Sequence, residues 1–221
     1  MLGGSGPSIA GIIMIHWNTS REARRDFWKR VIDFRRISLG WYLFIFLIFP
    51  ALYTISFLLN TLAGNPAPEF ETLTQIGANP LVLVGTVVIG IVAGPLSEEL
   101  GWRGFALDRL QARWSPLITN LILAFFWWAW HLPLFFIHGT IQNEWGFGTL
   151  SFWLFLVGII PLSMLTNWAY NRNGRSILAA ILLHFTYNFV LALVFPFSVF
   201  VYFLLTVMLI ITALIIRIWR R

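Results

Sequence analysis

The sequence predicts an all-α, polytopic transmembrane helical bundle of about six spans, N-in and C-in, and three observations carry that prediction. Of its 221 residues 58% are hydrophobic and only 11% charged, whereas soluble domains carry about 25% charged residues. Its apolar stretches are each near the length that a ~30 Å hydrocarbon core demands. Its Lys and Arg residues fall in stretches that alternate, along the chain, with stretches that have none.

Residues 1–15 are Gly-rich and then briefly apolar (IAGIIMI), too short to span. The next segment, HWNTSREARRDFWKRVIDFRR, mixes basic residues with Trp17, Phe27, Trp28, Val31, Ile32 and Phe34. That mixture predicts an interfacial amphipathic helix or juxtamembrane arm on an anionic leaflet. The division is therefore a basic arm over 1–36 and a helical membrane domain over 37–221. The spans are Ser38–Leu62, Pro80–Ser97 (continuing as helix toward Arg113), Pro116–Ile137, Thr149–Tyr170, Ser176–Val194 and Phe197–Trp219. Breaker-rich turns separate them: AGNPAP, WSP, HGTIQNEWGFG, NRNGR and, around Pro196, FPF. The first span is far longer than the apolar region of a cleaved signal peptide.

All 15 Lys and Arg lie in the N-terminal arm, the 103–113 region, the 172–175 loop or the C-terminus. With six crossings these fall on one side, and the positive-inside rule makes that side cytoplasmic. The intervening loops over 63–79 and 138–148 and the Pro196 turn have no basic residue and hold Glu69, Glu71 and Glu144. The net charge of +6 thus sets topology, and no soluble basic module exists to bind nucleic acid. The absence of cysteine excludes disulfides, thiolate nucleophiles and thiolate metal sites.

Against this apolar background, SEELGWRGF carries Glu98, Glu99 and Arg103, FFWWAWHLPLFF carries His131, and ILLHFTYNF carries His184 and Asn188. Ionisable groups in spanning segments are expensive and mark function by default. Glu98 lies 15 residues before Arg113 and His131 lies 15 after Pro116, so both sit ~22 Å up their helices. His184 and Asn188 lie roughly 14–20 Å from Arg175 at the same rise. The three motifs are expected to meet in the inner half of the membrane.

Glu99 and Arg103 are spaced i,i+4, the better orientation for a helical ion pair, and a buried carboxylate needs such a partner. Glu98 points about 100° away, which makes it the carboxylate available for chemistry. His184 and Asn188 project from one face, as do Trp127 and His131, so the indole of Trp127 can wall the site. His16 and His138 flank apolar segments as interfacial residues, and Asn120 and Asn167 read as helix–helix contacts. A proton relay through Glu98, His131 and His184 in a transporter is one alternative, although no internal repeat is visible. A non-catalytic immunity or scaffold protein that keeps the motifs as structure is another.

The motifs EELGWR, WWAWH and HFTYN resemble, in order and spacing, those of the CAAX protease and bacteriocin-processing family, also called the abortive-infection family. Its best-known members resemble the type II CAAX prenyl endopeptidase. The family pattern is Glu-Glu-x-x-x-Arg, Phe-x-x-x-His and His-x-x-x-Asn/Asp on successive membrane helices; Trp127 here replaces the usual Phe. The likeness covers about 90 residues, within a protease-like core over about 80–195, and does not extend to the first ~75. It implies an intramembrane endopeptidase of a cell membrane, opening toward the cytoplasm, that cleaves a peptide or a prenylated-protein-like substrate. By that resemblance Glu98 activates a water, His131 orients or deprotonates it, and His184 and Asn188 donate to the oxyanion. Glu99 and Arg103 support the helix and tune Glu98. No cofactor is favoured; the rival is a zinc site of Glu98, His131 and His184 with water in the fourth position. No HExxH or GxSxG motif is present.

Overall fold

The computed structural model describes residues 3–67, 70–195 and 198–218 and is helical throughout, with no strand among them. Helix α1 (Gly6–Asn18) starts on a proline in its first turn, where a missing N–H costs nothing. Ser20 caps α2 (Arg21–Ile32) by accepting from the Ala23 amide. Then come α3 (Leu39–Leu62) and the short α4 (Glu71–Ala78). The Asn79 side chain caps α5, which runs unbroken over Pro80–Gln111.

Ser115 caps α6 (Pro116–His131), which tightens into a 3-10 turn over Leu132–Phe136. Pro133 forces that change, because it has no N–H to continue the α ladder. Thr140 caps α7 (Ile141–Trp145), and α8 (Leu150–Arg172) follows. Ser176 caps α9 (Ile177–Val194), and α10 covers Val199–Ile218. The reversal between α8 and α9 places Gly174 and Arg175 both at φ 60°, a strained region for a residue with a side chain.

Among the described residues six helices are long and apolar enough to cross a membrane: α3, α5, α6 with its 3-10 turn, α8, α9 and α10. Their limits lie within two residues of those expected, except where the expected ends fall outside the described residues. Pro196, Phe197, Trp219 and Glu69 are such positions; the helices on either side of Pro196 end at Val194 and begin at Val199. The first half of α5 exposes Leu81, Val84, Val88, Ile89 and Val92, a hydrocarbon surface suited to lipid contact.

The chain forms two compact units. The first comprises α1, α2, the first half of α3, α4, α5, the end of α8 and α9. The second comprises the rest of α3, α6, α7, most of α8 and α10. In the first unit the basic arm is divided by face: Phe27 and Arg30 are buried, whereas Trp17, Ile32 and Phe34 are exposed. The inward pair packs against α5, and the outward aromatics and Ile32 are left for an interface.

Candidate active site

The stretch of α5 that carries the carboxylates is not a plain α-helix. One α-turn over Ser97–Gly101 lies between two turns of π geometry, Val92–Leu96 and Trp102–Ala106. Pro95 lies in the first, where a proline cannot donate the usual i→i−4 bond and the wider turn accommodates it. Single π turns inside helices recur at functional sites. Here two of them bracket Glu98 and Glu99.

Both carboxylates are buried, Glu98 at 5% exposure and Glu99 at 0%. The expected i,i+4 pair is present: Arg103 Nη1 donates to Glu99 Oε1 at 2.9 Å and Oε2 at 3.1 Å. Arg103 is itself fully buried and donates from Nε to Asn167 Oδ1 at 3.0 Å. It also lies within electrostatic reach of Glu98. On the other side of Glu99, His184 Nδ1 lies 2.8 Å from Oε1. A carboxylate held by a guanidinium accepts only, so Nδ1 is the donor. Asn167, Arg103, Glu99 and His184 thus form one continuous buried chain drawn from α8, α5 and α9.

With Nδ1 committed, the Nε2 edge of His184 turns toward α5 at Gly94. A Cβ placed on Gly94 would lie 2.9 Å from Asn188 Nδ2 and 3.8 Å from His184 Nε2. The bare backbone at Gly94 makes room for both nitrogens to converge one helical turn before Glu98. The i,i+4 spacing of His184 and Asn188 on α9 has this consequence: two potential donors aimed at one small volume. Phe185 packs over Gly90, 3.3 Å from where its Cβ would be, and seats α9 against the same helix.

In the second unit, His131 ends the α-helical part of α6. Its Nδ1 lies 2.7 Å from the Trp127 carbonyl, which can only accept, so Nδ1 carries the proton and Nε2 presents a lone pair when the ring is neutral. Trp127 is buried, with its ring centroid 6.2 Å from the His131 ring. Phe155 lies at 5.4 Å. The imidazole is therefore clasped by aromatics.

A second ionic cluster lies nine residues beyond Glu99 on α5. Asp108 accepts from Arg30 Nη1 at 3.0 Å, from the Tyr170 hydroxyl at 2.8 Å and from Arg175, which grips both its oxygens. Arg30 also donates to the Tyr170 hydroxyl at 2.6 Å. Asp108 holds the Arg175 guanidinium above its already high ordinary value. The bond also offsets the strained backbone at Arg175.

Sequence reasoning assigned Glu99 to Arg103 alone and read Asn167 as a simple helix contact. It missed the His184–Glu99 bond, the support that Asn167 gives Arg103, and the room at Gly94. Asn167 sits in an otherwise apolar stretch of α8. A buried amide there demands a polar partner, and the buried Arg103 was the candidate to test.

The family described as Rce1-like, type II CAAX prenyl endopeptidase, matches residues 80–190, which contain α5 through most of α9. A protein of Methanococcus maripaludis, described as CAAX prenyl protease 2, is 30% identical over 185 residues, 82% of this chain and 67% of that protein.

Proposed function

The chain belongs to the Rce1-like family of type II CAAX prenyl endopeptidases, and on that premise we propose that Glu98 is the base of an intramembrane peptidase. The protein is a multi-pass membrane protein, with six helices among the described residues long and apolar enough to cross a membrane. In the proposed reaction Glu98 takes a proton from water as the hydroxide oxygen bonds to the scissile carbonyl carbon, and the carbonyl oxygen becomes an oxyanion. Collapse of the intermediate breaks the C–N bond, and Glu98 returns the proton to the departing amine.

The observation that carries this reading is the convergence of His184 Nε2 and Asn188 Nδ2 beside Gly94. Preorganised donors in a dry site stabilise an oxyanion far better than water does. Because Nδ1 of His184 is bound to Glu99, Nε2 can donate only when the ring carries both protons. The Glu99 carboxylate is the counter-ion for that form. Glu99, Arg103 and Asn167 therefore have a positioning role, and Glu98 has the chemical one.

One observation favours a second reading. A histidine whose Nδ1 rests on a carboxylate is also the usual arrangement of a metal-ligating imidazole, which would suit His184 as a zinc ligand. Activity that survives exhaustive chelation supports the metal-independent reading; activity lost to the chelator and restored by zinc supports the other.

The name of the Methanococcus maripaludis relative makes a prenylated C-terminal peptide the first substrate class to test. The distribution of Lys and Arg supports a site opening toward the cytoplasm. In vesicles, wild type is expected to cleave a quenched-fluorescent farnesylated peptide, and Glu98→Gln to lose cleavage while keeping its melting temperature. Cleavage by Glu98→Gln at the wild-type rate contradicts the assignment. A leader-type peptide without the lipid, run in parallel, distinguishes the two substrate classes.

A further inference from the structure

We infer that α1 is a positioning element of the active site, which acts by fixing the backbone of the α5 turn that carries Glu98; this rests on the reading of Glu98 as base. The helix lies outside the stretch matched to the peptidase family, which begins at residue 80. It is too short to span, and its 13 residues are mostly small or aliphatic. Even so, it meets α5 on either side of the carboxylates, at Leu96–Ser97 and at Leu100–Gly101.

The contact is backbone against backbone. A Cβ on Gly11 would lie 2.8 Å from both the Leu100 carbonyl oxygen and the Gly101 Cα. A Cβ on Gly101 would lie 2.1 Å from the Pro7 carbonyl oxygen. No flexible side chain intervenes to absorb a shift, so a displacement of α1 passes directly to residues 100 and 101. Two residues before Glu98, the Leu96 carbonyl, last of the first π turn, accepts from the buried Ser8 hydroxyl at 2.9 Å. Ser5 Oγ lies 3.2 Å from Ser97 Oγ, and Ser97 in turn donates to the Val92 carbonyl at 2.5 Å.

These contacts explain how two adjacent π turns are held in register. A π turn moves each backbone donor to a carbonyl one residue further back, which rotates everything beyond it. Ser8 engages one end of the α-turn over 97–101, and the Gly11–Gly101 crossing engages the other. The orientation of Glu98 is therefore set from outside α5 as well as by Arg103 and His184.

The test uses Gly11→Ala and Ser8→Ala in full-length protein in vesicles, with the farnesylated peptide as probe. A displaced base lowers kcat without changing substrate binding, so Gly11→Ala should lose about ten- to a hundredfold in kcat at unchanged KM. Ser8→Ala should lose less, with the same split. The chain has no cysteine, so Ser5→Cys with Ser97→Cys adds the sole thiol pair. Added to Ser8→Ala, that pair should restore kcat on oxidation and lose it again on reduction.

Wild-type kcat in both Gly11→Ala and Ser8→Ala overturns the proposal. A loss in Ser8→Ala that oxidation of the pair does not restore also overturns it. If Gly11→Ala does not fold, the Ser8→Ala arm decides alone. Glu98→Gln distinguishes the two failures: full activity there removes the reading of Glu98 itself, whereas an inactive Glu98→Gln beside unaffected α1 variants removes only the role of α1.

Discussion

Helix α5 carries two ionic clusters, and they differ in how they treat their carboxylates. Around Glu99 every member is buried: Glu99 and Arg103 at 0% side-chain exposure and His184 at 4%. Around Asp108 the shell is half open: Arg30 and Tyr170 are buried, whereas Asp108 is 17% and Arg175 54% exposed. One carboxylate there has two guanidinium partners and a phenol. At the other cluster one guanidinium lies beside two carboxylates. A buried ion pair is weak grounds for stability by itself, because desolvation consumes most of its attraction. The Asp108 cluster joins α2, α5, α8 and the α8–α9 turn at modest cost. The Glu99 cluster is costly, and in the proposed mechanism that cost supports the orientation of His184 and Glu98.

Breaking the buried cluster should have the larger effect. Arg103→Ala leaves Glu99 buried without its guanidinium and should cost about 3–5 kcal/mol, read as a fall in melting temperature together with loss of cleavage. His184→Ala should keep more of the stability and lose about 10²–10³ in kcat, the usual effect of removing one oxyanion donor. Asp108→Asn should cost on the order of 1–2 kcal/mol and leave kcat within a few-fold of wild type. An equal loss of cleavage in Asp108→Asn and Arg103→Ala would erase the contrast.

Salt and pH sharpen it further. Raising ionic strength to ~1 M should weaken the half-open Asp108 cluster more than the enclosed one, so that wild type loses stability and Asp108→Asn changes less. Arg175 has its folded pKa raised by Asp108. Its contribution is complete below the unfolded value, far above neutrality, and is lost only as pH rises through the still higher folded value. The smallest expected effect is therefore a flat melting temperature for this contact from neutral to pH ~10.

Much of this was legible in the sequence, for physical reasons. Apolar runs and breakers located six spans because hydrocarbon thickness dictates length. The i,i+4 spacings of Glu99–Arg103 and His184–Asn188 translated directly into shared faces. The π turns were not legible, since a run such as VAGPLSEELGWRGFA has the same apolar pattern in α or π geometry. Spacing within a helix also says nothing of which neighbour a ring nitrogen meets, so the His184–Glu99 bond required three dimensions. The approach of α1 left only two glycines and three serines as its trace, residues that look like filler until a second backbone is found against them.

The central claim is that adjacent carboxylates have unequal roles, Glu98 chemical and Glu99 organisational. Its most direct test measures Glu98→Gln and Glu99→Gln side by side in vesicles, reading kcat on the farnesylated peptide and melting temperature. The account predicts that Glu98→Gln loses at least ~10²-fold in kcat at wild-type melting temperature, whereas Glu99→Gln melts markedly lower. Retained cleavage in Glu98→Gln, or an equal loss of stability in both, would contradict it.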